Sequence, residues 1–406
     1  MEPDLVAAVL GDLAIIVAAA RLVGALFVRL RQPRVVGEMV AGILIGPSVL
    51  GAAATEVVFP AGSPAFLQLL GTVALVLFTF LVGLEVPQHL LRGRVVRVGL
   101  VGVAVTFAAV GAGFLLAPLL DAPGLWSVPG VPHEAQALLI GAGVSATALP
   151  VVARVLQEKG LVATAVGAFG IGGAAVVTPL TFVVLGAAAS VATGGDPPVA
   201  AGIRLGLLAA LVAVLALAVR PLLARLLARR FHGTDLDGGV CALLLAGALL
   251  TAAATDRIGV QALPGGLLFG AAVPQLPGLA RAVQARLQQV VVVVGIPVFL
   301  AVSGLQTDLR TVRPEHAGAV ALFLLAVVVA KFGLGAAVGR ATGLPVRDAG
   351  AIGVLLSCGG LVTLVVALAA RLLGLITPSL QVVFVLGAIV TTLATGPALD
   401  RFVRPG

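Results

Sequence analysis

Thirteen apolar stretches of about 16 to 30 residues follow one another along this chain, separated by short polar loops. An α-helix needs about 20 apolar residues to cross the hydrocarbon core of a bilayer, and a helix satisfies its own backbone polar groups. The pattern therefore predicts an all-α polytopic membrane protein. We place its spans at residues 5–28, 35–51, 66–86, 96–119, 135–157, 163–192, 201–219, 238–255, 259–274, 288–306, 317–339, 348–370 and 378–398.

The composition excludes an ordinary soluble protein. The chain is 60% hydrophobic and 10% charged, with a mean hydropathy of +1.19, which is more apolar than a soluble core requires. Since the spans leave no room for a soluble domain, we expect residues 1–406 to form one transmembrane domain without a soluble regulatory domain. The acidic amino terminus lacks the basic start of a secretory signal peptide, so we expect the first span to be retained.

The basic residues are distributed unequally between alternate loops. Eighteen Lys and Arg residues lie in every second loop, starting with the loop after the first span, and four lie in the loops between them. Basic loops remain in the cytoplasm, so we predict an integral inner (plasma) membrane protein with its N-terminus outside and its C-terminus cytoplasmic. The net charge of +8 thus comes from loops on one side of a membrane. We therefore expect the lipid bilayer as a partner and no nucleic acid.

Two neighbouring spans resemble two spans that come seven spans later. GILIGPSVLG and FTFLVGLEV in spans two and three match GGLLFGAAVP and FLAVSGLQTDL in spans nine and ten. The loop charges place Glu85 at the cytoplasmic end of span three and Asp308 at the outer end of span ten. We therefore predict an inverted repeat, as in many secondary transporters. Gly42 and Gly46 match Gly266 and Gly270. In the same way, Phe78, Gly83 and Leu84 match Phe299, Gly304 and Leu305.

The repeat pairs span five with span twelve, and both carry helix-breaking residues. Pro150 interrupts GVSATALPVVARVL, and the Gly359–Gly360 pair interrupts VLLSCGGLVTLVV. Helices that break near the midplane of a membrane expose backbone N–H and C=O groups that can bind a polar ligand. The sequence therefore predicts two broken, crossing helices around a binding site.

Five segments of the chain are similar to segments of one known family. They are RQPRVVGEMVAGILIGPSVLG (31–51), FLVGLEV (80–86), SATALPVVARVLQEKGL (145–161), IPVFLAVSGLQTDL (296–309) and ITPSLQVVFVLGAIVTTLATGPALDRF (376–402). Over essentially its whole length the chain thus resembles the monovalent cation:proton antiporters of the bacterial sodium/proton and potassium/proton exchanger type. The resemblance implies a sodium/proton antiporter-like fold with interleaved panel and core subdomains, alternating access and a homodimer.

The resemblance also implies an ion site, and the chain departs from the family there. The family carries two adjacent aspartates in span six, where this chain has Val177 and Thr178. The lysine of span eleven is retained as Lys331. The family's Asn, Arg and Glu around the break of span twelve correspond here to Ser357, Gly359 and Thr363. The scaffold is therefore kept, the central carboxylates are replaced, and one cation remains.

Lys331 lies in the apolar sequence AVALFLLAVVVAKFGLGAAVG without a carboxylate at the same membrane depth. A charge there is a candidate functional site. If burial makes Lys331 lose its proton, the residue could take up and release protons during transport. If it stays charged, it could bind an anionic group together with the N-termini of the broken helices. The third possibility is a structural lysine whose ammonium is capped by carbonyls and hydroxyls. The candidate neutral oxygen ligands are Ser145, Thr147, Thr178, Thr181, Ser357 and Thr363.

The remaining acidic residues of the spans are poor central ligands. Asp12 lies early in span one, and Glu38 and Glu85 lie near cytoplasmic span ends, where we expect the two glutamates to pair with neighbouring arginines. We assign structural roles to these glutamates and to Gly42, Gly46, Pro150, Gly359 and Gly360. Packing is also the expected role of Cys241 and Cys358, and no metal or cofactor motif is present.

We therefore predict a secondary transporter of the cation:proton antiporter class, working by alternating access between panel and core, with Val177 and Thr178 in place of the ion-site carboxylates. One alternative is a diverged member that transports or binds an organic or anionic solute at Lys331. Another is a non-transporting membrane enzyme or sensor that acts on an apolar metabolite. The sequence has no nucleophile–base pair, so we assign no catalytic residue and do not expect an enzyme.

Overall fold

The computed structural model describes residues 3–30, 34–60, 62–85, 95–119, 128–194, 196–231, 237–305, 314 and 317–403. Across these ranges the chain is helical and has no strand. Ten helical segments in this part are long and apolar enough to cross a membrane. The predicted all-α membrane protein is therefore confirmed, whereas the count of thirteen spans stays a prediction.

The helices follow the predicted spans along the chain. The first eight are α1 (Pro3–Arg29), α2 (Arg34–Leu44), α3 (Ala52–Val58), α4 (Ser63–Glu85), α5 (Val95–Leu119), α6 (His133–Ser145), α7 (Leu149–Glu158) and α8 (Ala165–Ala192). Then come α9 (Pro197–Val214), a π-helical turn (Leu215–Val219), α10 (Arg220–Arg230), α11 (Gly238–Ile258), α12 (Leu263–Ala272), α13 (Leu279–Val290), a second π turn (Val291–Gly295) and α14 (Ile296–Leu305). The last are α15 (Ala317–Val327), a third π turn (Val328–Gly333), α16 (Leu334–Ala341), α17 (Val346–Leu356), α18 (Gly360–Leu372) and α19 (Pro378–Phe402).

Two predicted spans are shorter as helices than the sequence suggested. The predicted span 35–51 ends as helix α2 at Leu44, ahead of Pro47, and the predicted span 259–274 is helical only between Leu263 and Ala272, ahead of Pro274. Proline disfavours helical geometry in the residue before it and donates no backbone hydrogen bond, which accounts for both early ends.

The chain divides into two compact units that alternate along the sequence. Unit 1 contains residues 1–86 and 207–310, and unit 2 contains residues 87–206 and 311–406. Each unit therefore takes one segment from each half of the chain, as interleaved subdomains require. Unit 1 holds α1 to α4 and α10 to α14, and unit 2 holds α5 to α8 and α15 to α19. Helix α9 is divided between the two units at residue 206.

Packing in unit 1 is reciprocal between the two predicted repeats. Helix α2 packs on α14, and α12 packs on α4. A Cβ atom added to Gly46 would lie 3.1 Å from Leu305 Cα, and one added to Gly270 would lie 3.1 Å from Leu84 N. The sequence matches Gly46 to Gly270 and Leu84 to Leu305, so matched residues make matched contacts. This reciprocity agrees with a repeat; its inversion across the membrane stays a prediction.

Unit 1 also has a buried apolar core and a buried acid. The rings of Phe80 on α4 and Phe269 on α12 lie 6.0 Å apart in a tilted arrangement. The Asp12 carboxylate on α1 is buried and accepts a hydrogen bond from the Ser63 hydroxyl at the start of α4. A buried carboxylate that has such a local donor holds two helices together, which supports a structural role for Asp12.

Candidate functional site

The interruptions of two helices meet inside unit 2. Helices α6 and α7 are separated by residues 146–148, and α17 and α18 by residues 357–359. The backbone N–H of Ala148 donates to the Cys358 carbonyl at 2.8 Å, and the Thr147 hydroxyl donates to the Leu356 carbonyl at 2.8 Å. The two non-helical segments are thus joined directly. Both breaks that the sequence predicted are present, and they lie against each other.

Proline and glycine account for the geometry of the two breaks. Pro150 lies at the start of α7, where a backbone N–H would have no acceptor within the helix, so proline costs no intrahelical hydrogen bond there. Gly360 has a φ of +47°, in the left-handed region that favours glycine. A Cβ atom on Gly360 would lie 2.6 Å from the Ala148 side chain. Glycine at this position therefore permits both the backbone turn and the close approach of the two breaks.

Lys331 reaches this crossing from the π-helical turn between α15 and α16. Its side chain is completely buried, and its Nζ donates to the carbonyl of Ala146 in the break of α6 and α7, at 2.5 Å. The ion pairs found among the described residues do not include Lys331. A π turn is an uncommon irregularity that occurs often at functional sites. Within the described part of the chain, the Lys331 side chain is therefore held by a carbonyl of an interrupted helix and has no carboxylate partner.

Helix α8 supplies two hydroxyl groups to the same crossing. The Thr178 hydroxyl donates to the Thr147 carbonyl at 3.0 Å, and the hydroxyls of Thr181 and Ser145 lie 2.9 Å apart in a hydrogen bond. All four side chains are completely buried. Val177, beside Thr178, is also buried and contributes no side-chain polar atom. The structure thus brings the side chains of Ser145, Thr147, Thr178 and Thr181 together at the crossing; their role as ligands stays a prediction.

The two predicted residues of span twelve take different positions. The Ser357 hydroxyl donates to the Gly353 carbonyl of its own helix at 2.8 Å. Thr363 is buried near the start of α18, and its hydroxyl oxygen would lie 2.6 Å from a Cβ atom placed on Gly359. The Thr363 hydroxyl therefore lies beside the break, whereas Ser357 is engaged within α17.

Sequence reasoning missed the contribution of α19. The backbone N–H of Gly359 donates to the Thr391 hydroxyl at 3.4 Å, and the Thr392 hydroxyl oxygen would lie 3.6 Å from a Cβ atom placed on Gly360. The segment TTLAT (391–395) places these hydroxyls within about one helical turn, a spacing that could have indicated a polar face. Cys358, expected only to pack, lies in the break itself.

The three acidic residues considered from the sequence lie in unit 1. Asp12 is bonded to Ser63, and Glu38 is buried in α2. Glu85 ends α4, and its side chain and Asp308 lie outside the described part of the chain. The described crossing in unit 2 therefore combines one ammonium, one thiol and several neutral oxygens. Such a set can bind a monovalent cation through oxygens or bind and release a proton at nitrogen.

Known proteins resemble the chain in sequence and in fold. Residues 16–404 match the family described as sodium/hydrogen exchanger, transmembrane. The Na(+)/H(+) antiporter NhaS4 of Synechocystis sp. is 32% identical over 410 residues, which cover 99% of this chain and 98% of that protein. Cation/H(+) antiporter 20 of Arabidopsis thaliana is 30% identical over 97% of this chain and 48% of its own length. The chain therefore spans about half of that plant protein.

A solved structure supports the same assignment at the level of the fold. The sodium proton antiporter MjNhaP1 from Methanocaldococcus jannaschii superposes with a TM-score of 0.68 at 16% identity, covering 98% of this chain and 96% of that one. The sodium/proton antiporter-like fold implied by the resemblance is thereby confirmed. Because its residues 16–404 match that family, this chain belongs to the sodium/hydrogen exchanger family, a family of membrane transporters and not of enzymes.

Proposed function

We propose that this protein exchanges a monovalent cation for protons across the inner (plasma) membrane, with the crossing in unit 2 as its transport site. The observation that carries the proposal is the Lys331 ammonium on the Ala146 carbonyl, at the break of two crossing helices. Broken helices of this kind hold the ion sites of many secondary transporters. The relative with 32% identity is a Na(+)/H(+) antiporter, which makes sodium the first cation to test.

The oxygens around the break suit a monovalent cation. Carbonyl and hydroxyl oxygens can replace the hydration shell of such an ion without carrying a charge themselves. Ser145, Thr147, Thr178 and Thr181 provide four buried hydroxyls at the crossing, and Thr363 lies beside the second break. We propose these hydroxyls as the ligands of the cation in place of the aspartate pair, whose positions Val177 and Thr178 occupy.

Lys331 is the proposed proton-binding group. In the described crossing it is the buried nitrogen base, and Cys358 is the other ionisable side chain. Exchange requires a group that binds a proton in one half of the cycle and releases it in the other, and a lysine that lacks a carboxylate partner can do so. Loss of the proton would leave a neutral amine, whose hydrogen bond to the Ala146 carbonyl is weaker than that of the ammonium.

We further propose that unit 1 is the panel and unit 2 the core of an alternating-access transporter. Two observations support this assignment: each unit draws on both halves of the chain, and both interrupted helices lie in unit 2. The proposed protein is a homodimer with an outside N-terminus and a cytoplasmic C-terminus. The orientation rests on the unequal distribution of Lys and Arg between alternate loops.

The test is proton flux in proteoliposomes that enclose a pH-sensitive dye. Wild-type protein is challenged with sodium, lithium and potassium gradients, and choline serves as the control. We expect cation-dependent proton movement that is absent with choline. If both the wild type and the Val177→Asp/Thr178→Asp variant are silent with every cation, exchange is rejected. Uptake of an organic anion by such silent vesicles would then favour a solute site at Lys331.

A further inference from the structure

An apolar groove lies on the surface of unit 2, between α5 and the helix formed by α15, its π turn and α16. Its volume is about 710 Å³. One wall is formed by six residues of α5 between Ala108 and Leu119, and the other by six residues between Leu322 and Leu334. Every lining residue is Gly, Ala, Val or Leu, so the groove offers no polar side chain to a ligand.

Both walls belong to helices that cross the membrane. Residues 95–119 and 317–341 each have the length and hydropathy of a membrane span. The rims of the groove are strongly exposed: Leu115 is 73%, Leu119 is 68% and Val329 is 63% exposed. The lining residues that are buried are Leu116 on α5 and Ala326 and Ala330 on the opposite wall. A groove between two such spans lies at the depth of the hydrocarbon core of a bilayer.

The length of the groove corresponds to one leaflet of a bilayer. Twelve helical residues from Ala108 to Leu119 extend about 18 Å at about 1.5 Å per residue, and half of a hydrocarbon core of about 30 Å is about 15 Å. We propose that this groove binds a single acyl chain of a membrane phospholipid. A flexible chain fits a narrow, wholly apolar channel that runs along the helices and is continuous with the lipid-facing surface.

The deep end of the groove adjoins the turn that carries Lys331. Val329 and Ala330 line the groove, while the side chain of the next residue, Lys331, is buried and bonded to Ala146. The π turn Val328–Gly333 therefore has the acyl chain on one side and the crossing on the other. Packing of the chain against Val329 and Ala330 would stabilise this turn and so the position of Lys331. This consequence for transport rests on the proposed function, whereas the binding of the chain does not.

Photo-crosslinking tests the acyl-chain site directly. Purified protein is reconstituted with a phosphatidylcholine that carries a diazirine on one acyl chain, irradiated and mapped by peptide mass spectrometry. A Cβ atom on Gly111 would meet no other atom within 4 Å, so Gly111→Phe can project into the groove without disturbing the helix contact. Gly99→Phe on the same helix is the matched control, since its Cβ position is equally open and it does not line the groove.

We expect labels to concentrate on Leu115, Leu325 and Val329, most of that labelling to be lost in Gly111→Phe, and none of it in Gly99→Phe. Even labelling of all exposed apolar faces, including Leu205 on α9, would overturn the proposal. Groove residues that remain unlabelled would overturn it as well. Proton flux of the same two variants separates the two claims. If Gly111→Phe loses the lipid labelling but keeps the proton flux of the wild type, the acyl-chain site is supported and only its effect on Lys331 is rejected.

Discussion

At the scale of single residues, one threonine joins the two interrupted helices. The Thr147 hydroxyl donates to the Leu356 carbonyl, and the Thr147 carbonyl accepts from Thr178 on α8. Thr147 is completely buried. A buried carbonyl that loses its donor costs about 1–3 kcal/mol, because its desolvation is no longer offset. The crossing therefore depends on a hydrogen bond that a side chain of equal size without a hydroxyl cannot make.

We expect Thr147→Val to lower the free energy of unfolding by about 1–3 kcal/mol, since valine keeps the volume and removes the donor. The melting temperature in detergent measures the change. Thr193→Val is the matched control, because Thr193 is exposed after α8 and its hydroxyl bonds only to carbonyls of its own helix. If the Thr147→Val protein has the same melting temperature as Thr193→Val, this account of the crossing is contradicted.

The residues of the site could be predicted only where a motif or the family resemblance pointed to them. Pro150 marked the first break, and the resemblance placed Thr178 beside it. Nothing in one sequence relates the hydroxyls of the last span to the break of the span before it, so Thr391 was missed. Threonines in an apolar helix more often bond to carbonyls of their own helix, as Thr391 also does with Gly387 at 2.8 Å.

At the scale of helices, glycine sets the closeness of the contacts in unit 1. A Cβ atom on Gly42 of α2 would overlap the backbone of Ala301 in α14, and one on Gly266 of α12 would overlap the Val76 carbonyl in α4. Backbone atoms cannot move aside as the end of a flexible side chain can. Small residues at helix interfaces in membranes allow backbones to approach in this way. Gly42 and Gly266, which the predicted repeat matches to each other, therefore both mark close approaches between helix backbones.

Gly42→Ala and Gly266→Ala should each destabilise the protein by about 1–3 kcal/mol, because overpacking forces two helices apart. Gly11→Ala on α1 is the control, since its Cβ would meet no other atom within 4 Å. Melting temperatures of the three variants provide the comparison. If Gly42→Ala melts like Gly11→Ala, the contact between α2 and α14 is not as close as described.

At the scale of the whole molecule, hydropathy predicted the class of fold because it acts over many residues, whereas the orientation indicated by loop charge stays a prediction. The lengths of the short helices were less predictable, since Pro47 and Pro274 end apolar stretches that hydropathy alone would continue. The family was recognisable from five segments spread along the chain. The family also indicated the class of transporter but not the transported ion, because the resemblance implies an aspartate pair where this chain has Val177 and Thr178.

The predicted orientation can be measured with single cysteines. Thr193→Cys, in the loop after α8, and Asp237→Cys, before α11, are both exposed and lie in loops that the charge pattern assigns to opposite sides. Cys241→Ser provides the background, and Cys358 is buried. In intact cells, a membrane-impermeant maleimide should label the Thr193→Cys protein and leave the Asp237→Cys protein unlabelled. After permeabilisation it should label both. The reverse pattern would invert the proposed topology.

The most direct test of the central claim compares two lysines in the same flux assay. Lys331→Gln removes the buried ammonium, and Lys159→Gln removes an exposed lysine that pairs with Asp400 at the surface. Proteoliposomes of each variant are given a sodium gradient, and internal pH is followed. We predict that Lys159→Gln exchanges sodium for protons like the wild type, whereas Lys331→Gln is folded and inactive. Full sodium-dependent proton flux in Lys331→Gln would contradict the account.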